Sequence, residues 1–267
     1  MTPNVWYVEK GCFHSFYETA NTSAETLFQL LNDVLIRLAL PVTKCRGQCY
    51  DGAANMSGVR TGLQARMQEL EPRALYVHCT AHVLNLVVQD VAQNIPLCIC
   101  FLSIVRELIT LIRDSPKRLA WFKQYQDKDA PSLRPLCPTR WTVKTASLQS
   151  IASNYSALMD FLDDIGNGGT SANAKAQGLL YHLKCFSTFF SLQLMLKFFS
   201  CVEAVNAALQ NHQLHLRKAM EMVALLRGDL TSLRGDFQTF WETTTAAAKD
   251  LGLDFPQVPR QRKVPQR

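Results

Sequence analysis

The chain has 267 residues, 48% hydrophobic and 19% charged, a balance that excludes a disordered or fibrous protein and allows one large or two ordinary domains. Lysine and arginine total 28 against 22 acids, a formal net charge of +6, which leans towards anionic partners without establishing nucleic-acid binding. Nine cysteines lie scattered without a tight framework, and MTPNVWYVEKG lacks the pattern of a signal peptide, so reduced thiols in the nucleus or cytoplasm are expected.

Residues 3–18 hold two short β-like pieces, VWYVE and CFHSFYE, separated by Gly11. A helix follows, with Thr22 and Glu25 at capping-box spacing and an apolar stripe of Leu27, Leu30, Leu31, Val34, Leu35 and Leu38. Pro41 ends it. The run from Cys45 to Tyr50 predicts a strand, and residues 59–70 predict a helix. ALYVH, residues 74–78, predicts a second strand, feeding a helix that opens near Cys79 and carries Val83, Leu84, Leu86, Val87 and Val91. This alternation of strand and helix argues for an α/β unit.

After Pro96 no convincing strand follows. Apolar-periodic helices run to about Leu251, broken by loops at 126–138 and at 166–174, GNGGTSANA. IPLCICFLSIV is too short to span a membrane. CFSTFFSLQLMLKFFSCVEAV is interrupted by Gln193, Lys197 and Glu203, and both are expected as buried helix. The basic, proline-rich tail is expected to be extended. The fold class is therefore α/β turning mostly α: an α/β portion at 1–95, an all-helical portion at 96–252 and a tail at 253–267.

Three constellations carry candidate chemistry. Asp51, at the carboxyl end of a strand, is a hard oxygen ligand suited to magnesium or manganese, but an Asp-Gly turn with the carboxylate on nearby amides is the favoured alternative. Cys79 and His82 share a helix face. Zinc held with Cys45 and Cys49 is disfavoured, because those two lie on a strand and not on a knuckle. A catalytic cysteine–histidine pair is equally disfavoured, since nothing marks a site of raised reactivity. A buried thiol with a hydrogen-bonded histidine is the expected role. His78 shows no clustering with other histidines that suggests a site. Arg140-Trp141, at the end of LRPLCPTRW, suits phosphate contact and base stacking, with a tryptophan packed at a helix start as the plainer alternative.

Taken together, CRGQCYDGAANMSG (residues 45–58), VHCTAHVLNLVV, PTRW and the ending DFPQVPRQRKVPQR resemble hAT-superfamily transposase-derived proteins, in particular the zinc finger MYM-type protein 1-like group with its DUF4371-type domain. The resemblance implies an RNase H-like α/β core interrupted by a large helical insertion. In such proteins three carboxylates hold two divalent ions, Mg2+ or Mn2+, that drive in-line attack on DNA. Asp51 matches the family's second acid, Cys79 and His82 its Cys/Asp-x-x-His motif supporting the active site, and Arg140 and Trp141 its arginine-tryptophan pair at an unstacked base.

The family's first acid lies before the segment resembling FYETANTSAETLF, and its last lies beyond the helical insertion. Neither is expected within these residues. The resemblance therefore implies a fragment of the middle of a transposase, expected not to be an enzyme and to need no cofactor. The expected partners are DNA, or a protein such as an intact relative in a nuclear interaction module. No membrane and no small-molecule substrate are expected. An incomplete gene product without independent function is the remaining alternative.

Overall fold

The structure, a computed structural model, describes residues 8–9, 12–13, 19, 21–137, 144–169, 172–211 and 216–254. The chain is mostly helical with a small β component, as its element pattern predicts. It divides into two compact units, one formed by residues 1–87 with 208–219 and the other by 88–207 with 220–267.

In the first unit, β1 (Val8–Glu9) and β2 (Cys12–Phe13) pair antiparallel. The next element, α1 (Ala24–Arg37), begins one residue later than the Thr22–Glu25 box predicts. Ser23 is its cap and accepts the Thr26 amide at 3.2 Å, while the Thr22 carbonyl is taken by Asn55 Nδ2 at 2.6 Å. Once Ser23 occupies the cap, its hydroxyl does the work the sequence assigned to its neighbour. Pro41 leads into a 3-10 turn, Val42–Lys44.

The predicted strand is β3 (Gly47–Tyr50). The helix expected over 59–70 begins only at α3 (Leu63–Leu70), and the turn before it holds a short helix, α2 (Ala54–Ser57), with Gly58 closing α2 and Gly62 opening α3. The second predicted strand, β4 (Leu75–His78), pairs parallel to β3, with Gly47 opposite Leu75 and Tyr50 opposite His78. One face of this ribbon is covered. Gln48 is buried there, its amide donating to the Gln64 and Ala74 carbonyls, both at 3.0 Å. Tyr50 packs beside it on a core of Leu31, Leu63 and Met67.

The start of β4 is tied to the start of β3 by a buried acid. Glu71 takes a bidentate pair of hydrogen bonds from Arg73, both 2.7 Å, and lies 3.6 Å from Arg46. Both arginines also donate to the Thr43 carbonyl. The Arg73 guanidinium holds the Glu71 carboxyl down at about 2. A folded value below the unfolded one stabilises the protein above the ordinary carboxylate range, and that stability is lost as pH falls towards 2. Glu71→Gln is therefore expected to lower the urea midpoint at pH 7 and to flatten the acid limb between about pH 4.5 and 2. Parallel acid titrations of the two proteins, followed by circular dichroism, check this.

From β4 the chain enters α4 (Thr80–Gln93), then α5 (Pro96–Arg113) with proline in its first turn, then α6 (Pro116–Phe122) capped by Ser115. The helical unit continues with α7 (Thr145–Ala152), α8 (Tyr155–Asn167), α9 (Asn173–Lys184), α10 (Phe186–Leu209), α11 (Leu216–Gly235) and α12 (Phe237–Asp250). α8 packs along α9, while α5 packs on both α6 and α9. Among the described residues α10 is a single helix long and apolar enough to cross a membrane. Its Phe186, Phe189, Leu192, Phe199 and Val202 are buried in the protein, which is how a core helix meets the same length and composition.

Candidate functional site

The turn after β3 is shaped by its own polar groups. Asp51 is exposed, and its Oδ1 accepts the Ala53 amide at 3.2 Å, the side-chain turn expected of Asp-Gly. Ser57 Oγ donates to the Gly52 and Ala53 carbonyls, both at 3.1 Å, and Tyr76 Oη donates to the Asp51 carbonyl at 3.4 Å. Gly52 is required by space. A Cβ there would stand 2.9 and 3.0 Å from the His78 ring.

His78 is thus not the isolated histidine its sequence position suggests. Its ring lies 5.6 Å from that of His82, and its Nε2 is buried without a hydrogen-bond partner among the described residues. The Cys-x-x-His motif brings a second histidine, four residues before His82, onto the same corner.

Cys79 sits between the end of β4 and the start of α4, its amide donating to the Tyr50 carbonyl at 2.9 Å. Its thiol is half-buried and electrostatically coupled to that of Cys49. Cys49, the amides of Ala81 and His82, and the His82 side chain push the Cys79 thiol down to about 5, against the opposing effect of burial. The Cys49 thiol is pushed strongly up. The helix amino terminus is where a thiolate is stabilised. Cys45 is not part of the group: its thiol donates to the Gly47 carbonyl at 3.4 Å and packs on the apolar core.

The donors gathered at this corner are thiols and imidazoles. Magnesium and manganese take oxygen ligands, so apart from Asp51 the residues here do not fit those ions. Among the described residues no group of three or more His, Cys, Asp or Glu side chains is arranged to hold a metal.

Arg140 and Trp141 lie outside the described residues, which resume at Lys144. The flanks of their segment are described. Lys144 is 2% exposed and its Nζ donates to the Cys137 carbonyl at 2.6 Å, with burial lowering its ammonium to about 8. On the other side the Arg134 amide donates to Ser150 Oγ and its carbonyl accepts Ser147 Oγ, at 3.2 and 3.0 Å. The base of this segment is therefore pinned to α7 by a buried cation and two hydroxyls.

Residues 6–62 match the DUF4371 family, described as a ZMYM1/FAM200 RNase-like domain. The chain is also 25% identical over 136 residues to the mouse (Mus musculus) protein named 52 kDa repressor of the inhibitor of the protein kinase. That match covers 48% of this chain and 18% of the relative, so the chain spans a minor part of that protein's length. No solved structure matches.

Proposed function

We infer that the DUF4371 match at residues 6–62, which bears out the resemblance to zinc finger MYM-type, transposase-derived proteins, makes β3 part of a partial RNase-like core that β4 extends. We propose that the chain is a transposase-derived nucleic-acid-binding module of the nucleus that does not cleave DNA. The observation that carries this is the state of Asp51. Its carboxylate accepts the Ala53 amide, and among the described residues its corner is built from thiols, imidazoles and a tyrosine rather than further acids. A two-metal site needs several carboxylates converging on one point. Asp51 here serves the turn.

DNA contact is assigned to the Arg140–Trp141 segment, supported by its pinned base and by the net charge of +6. Anisotropy with labelled single-stranded DNA is expected to show binding that weakens as salt rises. Trp141→Ala is expected to weaken it about 5- to 150-fold, the range of one lost base stack. Incubation of labelled duplex with manganese is expected to leave it intact. Cleavage that disappears in Asp51→Ala would sink the proposal, as would DNA affinity unchanged by the loss of both Arg140 and Trp141. Capture of a protein partner by a chain with no DNA affinity would replace it with the interaction-module alternative.

A further inference from the structure

Cys49 and Cys79 are joined by register. Cys49 stands opposite Val77 in the parallel pair, and Cys79, two residues further along, falls on the same face of the ribbon. That face is the open one. Leu75, Val77 and Cys49 are exposed on it, whereas Gln48, Tyr50, Tyr76 and His78 belong to the other. The two thiols therefore share a face that solvent reaches, and each acts on the ionisation of the other.

We propose that Cys49 and Cys79 form a peroxide-sensitive dithiol, with Cys79 the attacking sulfur and Cys49 the resolving one. In the first step the Cys79 thiolate attacks one oxygen of a hydroperoxide. The S–O bond forms, the O–O bond breaks, and the leaving hydroxide or alkoxide takes up the proton that the Cys79 thiol released on ionising. Cys79 is oxidised to a sulfenic acid while the peroxide is reduced. In the second step the Cys49 sulfur attacks the sulfenic sulfur, the S–O bond breaks, and the Cys49 proton leaves with the hydroxyl as water. Two thiols and one peroxide give one disulfide and two hydroxyl products.

The division of roles follows from local charge. Cys79 receives the amides of Ala81 and His82 at the start of α4, and the His82 side chain adds to their effect. Cys49 has no helix end, and the neighbouring Cys79 is the main cause that holds its proton on. The other titratable groups that these sulfurs act on are Tyr50 of β3 and Tyr76 of β4, both raised chiefly by burial and further by Cys49. A disulfide needs an S–S length of about 2.05 Å and Cα atoms closer than ordinary diagonal neighbours on a sheet. Closure therefore draws the end of β4 towards β3 where the Cys79 amide donates to the Tyr50 carbonyl.

The test begins with the unaltered chain. Competitive iodoacetamide labelling followed by peptide mass spectrometry is expected to modify Cys79 first among the nine cysteines, with a rate that rises through about pH 5. One equivalent of hydrogen peroxide is expected to remove two titratable thiols and to yield a cross-linked peptide pair containing Cys49 and Cys79. In Cys49→Ser the same treatment is expected to leave a Cys79 sulfenic acid that dimedone captures. Labelling of Cys79 no faster than of Cys45, or a peroxide product that omits either cysteine, overturns the proposal.

Discussion

Replacing Phe161 by alanine is expected to destabilise the helical unit by about 3–5 kcal/mol, lowering its melting temperature by roughly 6–20 °C at the 2–4 °C per kcal/mol usual for a unit of this size. Phe161, on α8, is fully buried. Its ring makes edge-on contacts with Trp121 at 5.3 Å, Phe122 at 5.2 Å and Tyr125 at 5.5 Å. Three rings from α6 and the turn after it thus converge on one side chain, and each such pair adds about 0.5–1.5 kcal/mol beyond burial. Nearby Leu158 and Leu162 are equally buried and held by helix backbone, so the space left by truncation cannot collapse. Tyr181→Ala on α9 removes a side chain that is 67% exposed and is expected to stay within about 0.5 kcal/mol. Thermal scans of both variants check the contrast, and a Phe161→Ala protein that melts with the wild type would show that this aromatic cluster does not hold α6 to α8.

The helices and both longer strands were legible because their signals are local. The stripe from Leu27 to Leu35 needed only its 3.6-residue period, and the strands at 47–50 and 75–78 needed only their length and flanking turns. The breaks were harder. Thr22 and Ser23 are both good caps, and only the reach of Asn55 to the Thr22 carbonyl decides between them. The candidate site was legible as a list of residues and not as an arrangement. Asp51, Cys79 and His82 stand out along the chain, yet the contacts that define the corner come from strand register. Cys49 meets Cys79, and His78 meets Gly52, only once Gly47 is placed opposite Leu75. A parallel pairing across 28 residues leaves no mark in either strand alone. The thiol pair could have been found by sliding the two strand sequences past each other and asking which cysteines share a face.

The same run of residues that suggests an active site carries its largest structural constraint at its last glycine and the one four residues on. Gly62→Ala is expected to cost about 3 kcal/mol, at the upper end of what overpacking does, because nothing flexible can yield. A Cβ on Gly62 would lie 2.4 Å from the Gly58 nitrogen, 2.6 Å from its oxygen and 2.8 Å from its Cα. A Cβ on Gly58 would in turn lie 2.6 Å from the Ala54 oxygen. All four obstacles are backbone. Neither glycine needs a left-handed conformation, with φ of −55° at Gly58 and −67° at Gly62, so the demand is for room alone. The bonds at stake are Gly58 to the Ala54 carbonyl, 3.0 Å, and Gly62 to the Gly58 carbonyl, 3.1 Å. They set α3 so that Leu63 and Met67 reach Leu31. The identical change at Gly228, within α11 and with nothing inside 4 Å, is expected to stabilise by about 0.5–1 kcal/mol, since alanine restricts the unfolded chain and suits a helix. Urea denaturation of the two variants should therefore move the midpoint in opposite directions. A Gly62→Ala protein as stable as wild type would mean that the loop from 58 to 62 can open without disturbing α3. The tight turn behind Asp51 would then be a property of that sequence's chemistry and not of its packing.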